Sequence, residues 1–176
     1  MADIRSRVEE DQGILKKIQM FVPGFRGYRR KEDLRDADKM LRMQLAQKIA
    51  QQRRGLEDCR GLIAKAYNSK PLDVLGGLIS QFKKVESQVN FAEMGYSGIS
   101  ADIQIKEDEL NRLYEFDAGL IGDVSMMAQS IDKLKYSLAQ QDDAKAMVDL
   151  MEIKGRITDF EDIFKRRIDV IGGTEV

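Results

Sequence analysis

The spacing of apolar residues restricts the possible folds of this chain more than any other feature. Apolar side chains recur at intervals of three and four residues along almost all of the 176 positions, and strict alternation never persists for more than a few residues. The first spacing is typical of one face of an α-helix, and the second would indicate a β-strand. With only two prolines to interrupt the pattern, the sequence predicts an all-α protein.

Proline, glycine and polar residues divide the pattern into five helical segments. Stops or restarts occur at Pro23 and Gly24, at residues 68–71, at 95–100 and at 140–143. Short connections favour antiparallel neighbours, so we expect an elongated antiparallel helical bundle of four to five helices. The length fits a single domain over residues 1–176, with 95–101 as the candidate boundary between two halves.

One charged residue interrupts the most regular apolar seam. The fourth segment has coiled-coil-like spacing, and Asp117 occupies a seam position, where a buried carboxylate without a partner would be costly. In an antiparallel hairpin that turns near residue 141, position 117 faces roughly position 165. We therefore predict a structural, buried ion pair between Asp117 and Lys165 or Arg166.

The residue types needed for most catalytic and metal sites are missing from the sequence. The chain has no histidine and a single cysteine, Cys59, which excludes most catalytic triads, the usual zinc sites and the histidine-dependent di-iron bundle. Neither the P-loop motif nor a G-x-G-x-x-G motif occurs. We expect Cys59 to be a small core residue and the protein not to be an enzyme, with no catalytic residue, cofactor or metal.

Charge and cysteine content bear on the cellular location. Lys and Arg number 29 against 30 for Asp and Glu, so no overall charge draws the molecule to nucleic acid or to an anionic membrane. The lone cysteine, with nine methionines, suits a reducing compartment. No secretory signal begins the sequence, and no run of about 18 apolar residues could form a transmembrane segment. These features predict a cytoplasmic protein.

A loop rich in basic and aromatic residues is the first candidate binding site. Phe25 and Tyr28 flank Gly27, and four basic residues fall within six positions: Arg26, Arg29, Arg30 and Lys31. Arginine guanidinium groups and outward-pointing backbone amides can hold a phosphate or a lipid headgroup beside an aromatic ring. The alternative is a structural corner, in which the two aromatic side chains cap the end of the bundle.

An arginine stripe on the second segment is the other candidate. Arg35, Arg42, Arg53 and Arg60 are separated by 7, 11 and 7 residues, so they point within about 20° of one direction over about 37 Å of helix. Such a stripe can follow an anionic membrane or a nucleic-acid backbone. Solvation, or pairing with an acidic neighbouring helix, is the alternative interpretation.

Two functions from different classes remain. The first is a non-enzymatic interaction or scaffold protein that associates through helices with a protein partner or with itself, where glycines 76, 77, 119 and 122 allow close approach. The second is peripheral binding to an anionic membrane surface or nucleic acid, through the Phe25–Lys31 loop and the arginine stripe. Salt would weaken the second kind of binding steeply, and the first much less.

Overall fold

The described residues form a helical bundle, which confirms the predicted fold class. A computed structural model describes residues 2–28, 31–65, 69–92 and 107–172, and no strand occurs in these ranges. The five helices are α1 (Ala2–Phe21), α2 (Lys31–Lys65), α3 (Ser69–Phe91), α4 (Glu107–Ala139) and α5 (Asp143–Gly172). The predicted boundary at 95–101 lies outside the described residues.

Hydrogen bonds between helices define the topology. Ser137 in α4 donates to Asp149 in α5 at 2.6 Å, and Ser130 donates to Glu152 at 2.8 Å. The residue number increases from 130 to 137 in α4 while that of the bonded partner in α5 decreases from 152 to 149, so α4 and α5 are antiparallel. The α2–α3 pair is antiparallel too. Arg42 of α2 contacts Val89 of α3, whereas Arg53, further along α2, contacts Glu86, which comes earlier in α3.

The two antiparallel hairpins pack side by side, α2 against α4 and α3 against α5. Lys84 in α3 pairs with Glu161 in α5 at 2.5 Å, and Gln52 in α2 donates to the carbonyl of Val124 in α4 at 2.6 Å. The shorter helix α1 packs on α4. Apolar side chains from all five helices fill the centre, as the helical spacing predicts.

The turn between α4 and α5 shows how the local sequence ends a helix without glycine. Gln141 has φ of 58°, the amide of Asp142 donates to the carbonyl of Ser137 at 3.0 Å, and the amide of Gln141 donates to Leu138 at 3.1 Å. These two bonds form a Schellman motif. Asp142 then caps α5 by accepting a hydrogen bond from the amide of Lys145 at 3.0 Å.

The four glycines predicted to allow close helix approach lie at no helix contact of the described bundle. A methyl group placed on Gly77 or Gly119 would have no neighbour within 4 Å, apart from its own helix. At Gly76 and Gly122 it would meet only the side-chain ends of Arg60 and Lys17. Close approach at these positions stays a prediction for contact with another molecule.

Candidate functional site

A buried cluster of charged and polar side chains ties one end of the bundle together. We call it the Arg167 cluster; its members are Tyr28, Asp38, Arg42, Asp117 and Arg167. The Arg167 guanidinium donates to Asp117 and to Asp38, each at 2.5 Å, and Arg42 donates to the other oxygen of Asp38 at 2.8 Å. The Tyr28 hydroxyl donates to the second oxygen of Asp117.

The predicted partners of Asp117 are wrong, although Asp117 is buried and ion-paired. Lys165 and Arg166 are exposed, whereas Arg167 is fully buried against Asp117. Asp117 faces position 167 rather than position 165. On a helix, one residue corresponds to a rotation of about 100° and two residues to about 200°, so Arg166 and Lys165 point away from Asp117 and are exposed.

The electrostatics of the cluster are balanced. Burial alone would lower the pKa of Arg167, but Asp117, Tyr28 and Asp38 outweigh it and hold that pKa well above its ordinary value. Burial raises the pKa of Asp117, and the Arg167 charge opposes the rise. Burial and the adjacent Asp117 also raise the pKa of Tyr28 well above its ordinary value, so its hydroxyl stays protonated and donates. Two arginines therefore neutralise two carboxylates, and the cluster is a structural tie.

The aromatic residues of the Phe25–Lys31 loop belong to the core. Phe25 and Tyr28 are each 4% exposed, and their rings meet edge to face at 5.3 Å. The amide of Tyr28 donates to the Tyr114 hydroxyl at 2.9 Å. Gly27, with φ of 89°, fits against the same hydroxyl, which a β-carbon would approach to 2.8 Å.

The two aromatic side chains of the loop are therefore core residues, as the structural-corner interpretation expects. Binding of an anion by the basic residues of the loop stays a prediction. Arg26 is exposed. The placement of Arg29 and Arg30, and of the Lys31 side chain, lies outside the described residues.

The arginine stripe is not a continuous basic surface. Arg42 is buried in the Arg167 cluster, and Arg53 is shared between Glu57 at 2.6 Å and Glu86 of α3 at 2.8 Å. Only the two end members, Arg35 and Arg60, are exposed. The stripe prediction is wrong because α2 and its neighbour supply acidic partners at the middle positions.

A groove between α2 and α4 is a further candidate site in the described structure. Helix α1 lies on α4 and ends at Phe21, and next to its last turn the surface between α2 and α4 is left unfilled. The volume of the groove is about 910 Å³. Its apolar lining comes from two helices, α1 and α4: Met20, Phe21, Ile121, Val124, Met126, Ala128 and Ile131. Helix α2 contributes Lys48, Gln51, Gln52 and Gly55. Met20 is 79% exposed and Met126 is 40% exposed.

The polar residues of the groove are unevenly charged. Lys17 of α1, Lys48 of α2 and Lys135 of α4 line it, against Asp132 as the acidic lining residue. None of the three lysines forms a salt bridge with a described residue. Gln52, also in the lining, is 93% buried, and its side-chain oxygen accepts no hydrogen bond from the described residues.

Sequence reasoning missed this groove, although one signal was available. Helix α1 has 20 residues, whereas α2 has 35 and α4 has 33. A helix of that length cannot cover both longer helices from end to end, because each residue adds about 1.5 Å. The sequence did not indicate which pair of helices α1 would leave uncovered.

The remaining chemistry of the described residues is limited. Cys59 is buried and its thiol donates to the Gly55 carbonyl at 3.3 Å; burial raises its pKa to about 11. No group of three His, Cys, Asp or Glu side chains converges to hold a metal ion within the described ranges. None of the described helices carries an apolar stretch sufficient to cross a lipid bilayer.

Comparison of the chain with protein-family models, with curated protein sequences and with solved structures finds no match in any of the three.

Proposed function

We propose that this protein is a non-enzymatic interaction protein that binds a helix of a protein partner in the groove between α2 and α4. One observation carries the proposal: α1, itself a helix, packs on α4 and stops at Phe21, and the apolar groove continues past it. A partner helix placed there would continue the packing that α1 begins.

The dimensions of the groove suit such a ligand. Its lining on α4 runs from Ile121 to Lys135, about 21 Å at 1.5 Å per residue, or about four helical turns. Helices α2 and α4 run in the same direction along it, since Gln52 contacts Val124 and Gly55 lies beside Ile131. Two parallel helices present a continuous furrow into which a third can pack.

The side chains at the groove also suit a helical ligand. Methionine is flexible and polarisable, and it recurs in grooves that receive the apolar face of an amphipathic helix. Met20, which is 79% exposed, lies at the groove beside buried aliphatic residues. The sulfur of Met126 accepts a hydrogen bond from Arg156 of α5 at 3.2 Å. Binding to an anionic surface has less support, because the aromatic residues proposed for it are buried and the middle arginines are paired.

Selection from a display library of random 18-residue peptides tests the proposal. We expect enriched peptides to share apolar residues at helical spacing and to bind the wild-type protein. Ser125→Trp, at an exposed lining position, should abolish that binding. Ser87→Trp, at an exposed position on α3, is the matched control and should leave it intact.

Two outcomes would contradict the proposal. One is the absence of any enriched helical pattern. The other is a set of enriched peptides that bind Ser125→Trp as well as they bind the wild type. Circular dichroism of both variants establishes that each is folded before the comparison is made.

A further inference from the structure

We infer that the partner helix carries acidic residues on both flanks of its apolar stripe. The inference rests on the proposed function and specifies the chemistry of its ligand. It follows from the charges that surround the groove and from their positions.

The groove lining carries an excess of basic residues, whereas the protein as a whole does not. The whole chain has a formal net charge of -1, yet the charged groove lining comprises Lys17, Lys48 and Lys135 against Asp132. Elsewhere in the described bundle, bases between helices have carboxylate partners, as Lys84 has Glu161 and Arg53 has Glu86. The three groove lysines form no such pair with a described residue.

The lysines are distributed rather than gathered at one point. The Lys17 ammonium lies against Gly122 of α4, 3.6 Å from where a β-carbon would stand, and that of Lys135 lies 3.5 Å from the same position at Gly55 of α2. Gly55 lies beside Ile131 of α4, and residues 122 and 131 are about 14 Å apart along α4 at 1.5 Å per residue. Lys48 adds a positive charge on the α2 side.

This distribution selects among anionic ligands. A single carboxylate on an apolar chain, as in a fatty acid, could neutralise one lysine only. A helix with Glu or Asp on both flanks of an apolar stripe can reach all three while its stripe covers Met20, Phe21 and Ala128. Opposite charges at the rim of an interface favour the correct partner and repel partners of the same sign.

Three fluorescent 18-residue peptides with one leucine stripe test the inference, their flanking positions being all Glu, all Gln or all Lys. In fluorescence anisotropy at low ionic strength, we expect the Glu peptide to bind at least about tenfold more tightly than the Lys peptide, with the Gln peptide between them, since several rim charges act together. The order should be reversed in the triple variant Lys17→Glu, Lys48→Glu, Lys135→Glu.

A charge-matched control separates the groove from the overall charge. The triple variant Lys83→Glu, Lys154→Glu, Lys165→Glu changes exposed residues of α3 and α5 by the same total charge, and it should keep the wild-type order. If it also reverses the order, the preference comes from net charge and the inference fails.

The other outcomes are equally decisive. Equal binding of the three peptides would overturn the acidic partner and leave a helix-binding groove. No binding of any peptide would overturn both. Tighter binding of a long-chain fatty acid than of the Glu peptide, lost in Ser125→Trp, would assign the groove to a small amphiphile instead.

Discussion

Arg167 neutralises two carboxylates that solvent does not reach. Arg167→Met keeps a long apolar side chain but leaves Asp117 and Asp38 without this partner. Removing one member of a buried ion pair typically costs about 3–5 kcal/mol, and we expect a loss of that size in the free energy of unfolding, measured by urea denaturation. Arg166→Met, at the exposed neighbouring position, should change it by less than about 0.5 kcal/mol.

Equal losses in the two variants would contradict this assignment of the buried partner.

The ion pair between Asp117 and Arg167 also shows what the sequence could predict at the scale of residues. A charge in an apolar seam predicts a buried pair for Asp117, but the identity of the partner depends on hairpin register, which a one-residue error in the turn changes completely. Asp38 and Arg42 have the four-residue spacing of a helical pair, and only the fold shows that they join Asp117.

The thiol of Cys59 should make stability depend on pH in the alkaline range. Burial raises its folded-state pKa from 9.0 to about 11, so the folded state retains the proton more strongly than the unfolded state. The resulting stabilisation is complete below about pH 9 and is lost as the pH rises towards 11.

The comparison that isolates this thiol is the difference in unfolding free energy between the wild type and Cys59→Ala. From pH 8 to pH 10.5 we expect the wild type to lose about 1–2 kcal/mol relative to the variant. A difference that stays constant would show that the thiol keeps its ordinary pKa in the folded protein. Subtracting the variant cancels the contribution of the titratable groups that the two proteins share.

At the scale of elements, the connection between α1 and α2 contains two glycines of positive φ, Gly24 and Gly27. Gly27 has φ of 89°, and a β-carbon there would lie 2.8 Å from the Tyr114 hydroxyl. Gly27→Ala should therefore lower the free energy of unfolding by about 2 kcal/mol or more, through both backbone strain and displacement of Tyr114. Thermal unfolding followed by circular dichroism measures the change.

Gly13→Ala is the matched control for that substitution. Gly13 lies inside α1 with no neighbour within 4 Å of an added β-carbon, so alanine should stabilise the protein by about 0.5–1 kcal/mol. If Gly27→Ala also raises the free energy of unfolding, the Gly27 conformation is not a constraint on the fold.

Helix bounds were largely predictable because their stops are local. Pro23 and Gly24 follow the end of α1, and Asp142 caps α5, as the sequence signals for turns and caps indicate. The accessibility of Arg42 was not predictable, since it depends on which helix packs alongside α2. Helical spacing describes the apolar face of each helix but does not specify its neighbour.

At the scale of the whole molecule, the Arg167 cluster should couple the two hairpins. It joins the loop after α1 to α2, α4 and α5, and Arg42 reaches the carbonyl of Val89 in α3 at 3.4 Å. Buried charges in this arrangement lose their partners together when either hairpin separates. We therefore expect residues 1–176 to unfold as one cooperative unit.

Two probes in one urea titration can detect that coupling. Circular dichroism reports on all helices, whereas tyrosine fluorescence reports on five positions, of which Tyr28 in the cluster and Tyr114 lie 5.0 Å apart between ring centres. Coincident transitions would support one unit. Arg167→Met should separate them, because it removes the ion pair with Asp38 that joins α5 of one hairpin to α2 of the other. Separate transitions in the wild type would instead mean that the hairpins fold independently, with the division falling between α3 and α4.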